Sequence, residues 1–67
     1  MTDNSLRNRE IIFEIRPVGN AARVSAMDTQ TMTEVSIQCP TNTPEALMKS
    51  SALRRIEYVM RKKGIIQ

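Results

Sequence analysis

The chain has 67 residues, ten Lys or Arg against seven Asp or Glu, a net charge of +3, one cysteine and no histidine. That length makes one small domain with a thin core, so stability is expected to be marginal and self-association a reasonable route to more of it. A single cysteine excludes an internal disulfide, no stretch nears the ~20 apolar residues of a membrane span, and the polar first ten residues lack the apolar core of a signal peptide; a soluble cytoplasmic protein is expected.

Charge is unevenly placed. From Thr43 onward there are six Lys or Arg and two acids, against four bases and five acids in the 42 residues before it. The basic character belongs to the C-terminal third.

Residues 1–8 have no periodicity and few apolar side chains, which predicts a disordered lead-in. Arg7 and Arg9 there are available to a positive surface. Residues 10–16 alternate: Ile11, Phe13 and Ile15 share one face, Ile12, Glu14 and Arg16 the other. β-Branched and aromatic residues at period two predict a strand, which Pro17-Val18-Gly19-Asn20 then breaks. Residues 21–27 alternate again, with Ala22, Val24 and Ala26 opposite Arg23, Ser25 and Met27. The small alanines leave room for a helix to sit close. Asp28-Thr29-Gln30-Thr31 reads as a turn, with Asp28 bonding its own backbone. In residues 33–39, Thr33, Val35, Ile37 and Cys39 face away from Glu34, Ser36 and Gln38. Cys39 falls on the apolar parity and reads as a small core residue. Three strands with connections of about four residues predict an antiparallel meander.

Residues 44–63 form the predicted helix. Thr43 is the preferred N-cap, with Pro44 at the first helical position and Glu45 in the first turn; Asn42 is the other candidate cap. Arg61, Lys62 and Lys63 suit the negative pole, and Gly64 closes the helix. Met48, Ala52, Ile56, Val59 and Met60 fall on one side with Leu53 on its border. Lys49 interrupts that side near its start, where its stem can lie on the core. Residues 65–67 are a short tail, in which Ile65 and Ile66 either fray or fold back on the core. The domain therefore spans 9–64 as α+β, a three-stranded antiparallel meander packed on one C-terminal helix (β-β-β-α, two layers).

The other side of the helix carries Leu47, Ser51, Arg54, Arg55, Tyr58, Arg61 and Lys62. A solvated outer face is the ordinary meaning of such charge. The functional meaning is a contact surface for phosphate or for an acidic partner. Arg54, Tyr58, Arg61 and Lys62 are the candidate binding residues, with Arg55 at the edge.

Catalysis has little to work with. Without histidine, a base near neutral pH would need a strongly shifted carboxylate or lysine in a deep core. One cysteine and scattered acids offer no metal ligand set, and the two glycines are too far apart for a phosphate loop. No enzyme, metal, cofactor or small-molecule substrate is expected. Three readings remain. The helix face contacts nucleic acid, with Tyr58 stacking. The same face, or exposed Ile12 and Met27, docks on a protein, in its simplest version a second copy held through Leu47 and Tyr58 or through Ile12 and Met27. Or the surface has no strong site. Entry of the sheet into a DNA groove is disfavoured by Glu14 and Glu34. The double-stranded-RNA-binding layout lacks its preceding helix, and only Lys49 stands for its lysine cluster.

The series Phe13-Glu14, Gly19-Asn20, Val24-Ser25-Ala26, Thr33-Glu34-Val35-Ser36-Ile37 and Ala52-Leu53-Arg54-Arg55-Ile56-Glu57-Tyr58-Val59 resembles a small bacterial family of unknown function over residues 10–63. The resemblance implies no activity, cofactor or catalytic residue. The turn Thr29-Gln30-Thr31-Met32 lacks the glycine expected there.

Overall fold

Alternating side chains at period two become three strands, β1 (Ile11–Val18), β2 (Ala21–Asp28) and β3 (Thr33–Pro40), in the computed structural model, which describes residues 6–67. They pair antiparallel in the order β1-β2-β3, and α1 (Glu45–Lys62) follows. The architecture is the expected β-β-β-α in two layers.

The end of β1 differs from expectation. Pro17 does not break β1, which runs on to Val18 opposite Ala21. The Thr29 N–H donates to the Glu10 carbonyl at 3.2 Å, so even-numbered residues of this strand turn their backbone groups toward β2 and odd-numbered ones toward the open edge. Pro17 is odd, so its missing N–H removes no bond from the sheet. The first connection is then two residues, Gly19-Asn20, rather than four. Gly19 alone has positive φ, at 60°, as the first position of a type II′ turn requires. The second connection, residues 29–32, has the expected length, but Met32 takes φ 61° where no glycine is present. Its N–H donates to the Asp28 carbonyl at 2.8 Å, which holds that conformation.

The core is what the alternation implies. Ala22, Val24 and Ala26 of β2 are buried beneath Met48, Ala52, Ile56 and Met60 of α1, which recur every four residues. Phe13, Val35, Ile37, Cys39 and Leu53 pack around them, half-buried. Val59, expected inside, is a half-buried flank of this row. The helix lies over β2 and β3, so the inner face of β1 is less covered and Ile15 stays 36% exposed.

Thr43 does not cap the helix. Its N–H donates to the Pro40 carbonyl at 3.0 Å, which holds it in the preceding turn. Pro44, with φ −59° and ψ 142°, is the capping residue; it has no side-chain donor or acceptor, and its carbonyl accepts from Leu47 and Met48. The other end follows expectation. Gly64 has φ 78°, its N–H reaches the Arg61 carbonyl at 3.1 Å, and the Ile65 N–H reaches the Met60 carbonyl at 2.9 Å. These two bonds form a Schellman closure. They turn the chain back, so Ile65 packs on the core and Ile66 is buried, which decides between the two readings of the tail. Lys49 is exposed, and its amine pairs with Glu45 at 3.1 Å.

Of the lead-in expected over 1–8, residues 1–5 lie outside the described residues. Residues 6–8 form a turn in which the Arg9 N–H donates to the Leu6 carbonyl at 3.2 Å, and Leu6 packs against the core.

Candidate functional site

With Met48, Ala52, Ile56 and Met60 turned inward, helical geometry sends Leu47, Arg54, Arg55, Tyr58, Arg61 and Lys62 outward, and all six are exposed. Tyr58 is 52% exposed. It sits three residues after Arg55 and four before Lys62, the spacings that meet on a helix surface. The Arg55 guanidinium lies 5.7 Å and the Lys62 amine 5.8 Å from its ring centre. Both are within cation–π range, each contributing about 0.5–1 kcal/mol at an exposed site. Arg55, placed at the edge by sequence spacing, is therefore at the centre of the aromatic cluster.

The other candidates are arranged differently. Arg61 is drawn toward the C-terminus, its Nε donating to the main-chain oxygen of Gln67 at 3.1 Å and its Nη2 lying 3.4 Å from Glu57. Arg54 is exposed on the crest between the two groups. Leu47 is exposed, but eleven residues of helix put it roughly 16 Å from Tyr58 along the axis. The two apolar side chains expected to anchor together are separate points.

The outer face of the sheet is polar. Glu14, Arg16, Arg23, Ser25 and Glu34 line a shallow open hollow. Arg16 lies 3.4 Å from Glu14, and Arg23 donates to the Ser36 hydroxyl at 3.3 Å. Ile12 stands opposite Met27 on this face, exposed where Met27 is half-buried.

One charged cluster was not foreseen. Asp28 is fully buried at the end of β2. Its Oδ2 accepts from the Thr31 hydroxyl at 2.7 Å, the Thr31 N–H at 3.1 Å and the Arg9 guanidinium at 3.0 Å. Thr31 spends its one hydroxyl proton on Asp28, so the Thr33 hydroxyl, 2.7 Å away, is the donor in that pair. Burial pushes the Asp28 carboxyl up, but the Thr31 bonds and then the charge and hydrogen bond of Arg9 outweigh it, and the pKa lies below its ordinary 3.8. Arg9, read as part of a positive surface, is instead committed to this buried anchor. Sequence gave half the signal, an Asp at a turn; its partner nineteen residues away was visible only in the strand register. The cluster pins the β2–β3 turn to the entry of β1, with the Asp28 carboxylate itself out of solvent.

Among the described residues no group of three or more His, Cys, Asp or Glu is placed to hold a metal ion. No helix among them is long and apolar enough to cross a membrane.

The fold and its exposed helix define a small α+β domain with a basic aromatic face. The chain matches, over residues 8–63, the family described as Domain of unknown function (DUF6898), and it belongs to that family. No curated protein and no solved structure matches it.

Proposed function

We infer that this domain is a non-catalytic interaction module that presents the outer face of α1 to an acidic partner. The observation that carries the reading is Tyr58, half-exposed between Arg55 and Lys62, on the side of α1 opposite the buried row. An aromatic ring held between cations offers a flat apolar contact rimmed by positive charge, which suits an anionic surface. Arg54 extends the patch along the crest, and Arg61, braced by the main-chain oxygen of Gln67, bounds it.

Nucleic acid is the more specific version of that partner. The segregation of net +4 into the C-terminal third favours it, and the acids Glu14 and Glu34 on the sheet face confine it to the helix. The lone, half-buried thiol of Cys39 needs no oxidising compartment, which supports a cytoplasmic setting.

The test uses two probes, a fluorescent single-stranded oligonucleotide and a fluorescent polyglutamate peptide, titrated with the parent chain and with Arg54→Glu/Arg55→Glu/Lys62→Glu. Oligonucleotide binding that weakens steeply with salt and is lost in the variant supports the nucleic-acid version. Polyglutamate binding alone, lost in the variant, supports an acidic protein. Binding of neither probe at low salt, or equal binding by the variant, refutes the face.

A further inference from the structure

We propose that the open edge of β1 pairs antiparallel with β1 of a second copy, about a two-fold axis at Ile15, giving one six-stranded sheet. This surface is independent of the helix face.

The first observation is where the exposed apolar side chains fall. Ile12, Ile15 and Val18 are 47%, 36% and 47% exposed, and all three belong to β1. β3, the other edge, contributes no large exposed apolar side chain; its inner face is under α1, and its outer face is Glu34, Ser36 and Gln38. The sheet thus has one apolar edge and one polar edge, which favours a closed pair over a growing stack.

The second observation is the order of residues along that edge. A two-fold axis at Ile15 sets Ile15 against its own copy, Glu14 against Arg16, Phe13 against Pro17, and Ile12 against Val18. Every outward pair is either opposite in charge or apolar on apolar. Glu14 and Arg16 already lie side by side, 3.4 Å apart on the outer face. A second copy turned by the two-fold axis would make a square of alternating sign. Moving the axis by one residue, to Glu14, would oppose Glu14 to its own copy, which is unfavourable.

The third is the backbone. Odd-numbered residues of β1 turn their N–H and C=O groups to the open edge, as the Glu10–Thr29 bond establishes. Ile15 would therefore exchange both bonds with its copy, and the Phe13 N–H would donate to the second copy's Pro17 carbonyl. Pro17 has no N–H to return, which weakens the ends of the pairing and limits its length. The chain exposes 4789 Å², and a strip this narrow is at the small end of stable interfaces, so association is read at micromolar to millimolar concentration.

The experiment is sedimentation equilibrium, up to about 1 mM chain, on the parent, on Glu14→Arg, on Arg16→Glu, and on the two variants mixed. Both side chains are exposed, so folding is retained, which circular dichroism checks. Each variant alone sets like charges against one another twice across the axis and raises the dimer dissociation constant about tenfold or more. The mixture restores both opposite-charge pairs, so heterodimers form where neither variant self-associates as the parent does. A parent that is monomeric throughout, variants that dimerise like the parent, or a mixture that stays as weak as its components would each overturn the proposal. So would a dimer that is lost on Tyr58→Ala or Leu47→Ala, which would place the contact on the helix.

Discussion

Replacing Asp28 by Asn keeps the volume of the side chain and removes its charge. One carboxylate oxygen collects three donors, from Arg9 and twice from Thr31, at 2.7 to 3.1 Å, with no solvent exposure. The other oxygen, Oδ1, has no hydrogen-bond partner among the described residues. An amide oxygen can still accept from Thr31, but the bond from Arg9 loses its charge partner. Hydrogen bonds to charged groups contribute roughly 1.5–3 kcal/mol. Breaking a fully buried ion pair costs about 3–5 kcal/mol. The Arg9 side chain keeps 17% exposure, so water relieves part of that loss. A cost of about 2 kcal/mol follows. A small domain at about 0.05–0.15 kcal/mol per residue has little more than a few times that to lose. The melting temperature should fall on the order of 10 °C. Urea unfolding at pH 7 measures the difference directly. The pH dependence is the sharper test. The folded pKa of Asp28 is below its unfolded 3.8, so its stabilisation is complete above the unfolded value and lost as pH falls through the folded one. Parent and variant should differ at pH 7 and converge in strong acid. A gap under about 0.5 kcal/mol at pH 7, the scatter of neutral surface changes, would refute the reasoning, as would a gap unchanged in acid.

Ile56→Ala opens a cavity at a fully buried contact between α1 and the sheet; about 3 kcal/mol should be lost in urea unfolding. Met32→Gly should raise stability by up to about 1 kcal/mol, because Met32 holds φ 61° with its side chain in solvent, and relief of that strain exceeds the added entropy of glycine; a lower denaturation midpoint would show that its side chain holds the turn.

The sequence was most informative where one period ran unbroken. Alternation in three segments and a four-residue apolar row in the last are local consequences of backbone geometry, so the strands, the helix and the inward residues Val24, Ala26, Ala52 and Ile56 could be read directly. Gly64 was readable because positive φ at a helix end has few other solutions. The outward placement of Tyr58 and its basic neighbours followed from the same periodicity. Which cations meet its ring depended on where side chains turned once the helix was seated: Arg55 and Lys62 approach Tyr58, while Arg61 reaches the main-chain oxygen of Gln67, brought near as Ile65 and Ile66 fold back. Pro17 inside a strand and Met32 at positive φ were likewise settled by the sheet. An edge tolerates a missing N–H on its open side, and a backbone bond to Asp28 holds a conformation that local preference disfavours. The Arg9–Asp28 anchor joins residues far apart in sequence through strand register. Periodicity describes one element at a time, whereas register, edge and buried charge are properties of elements placed against one another.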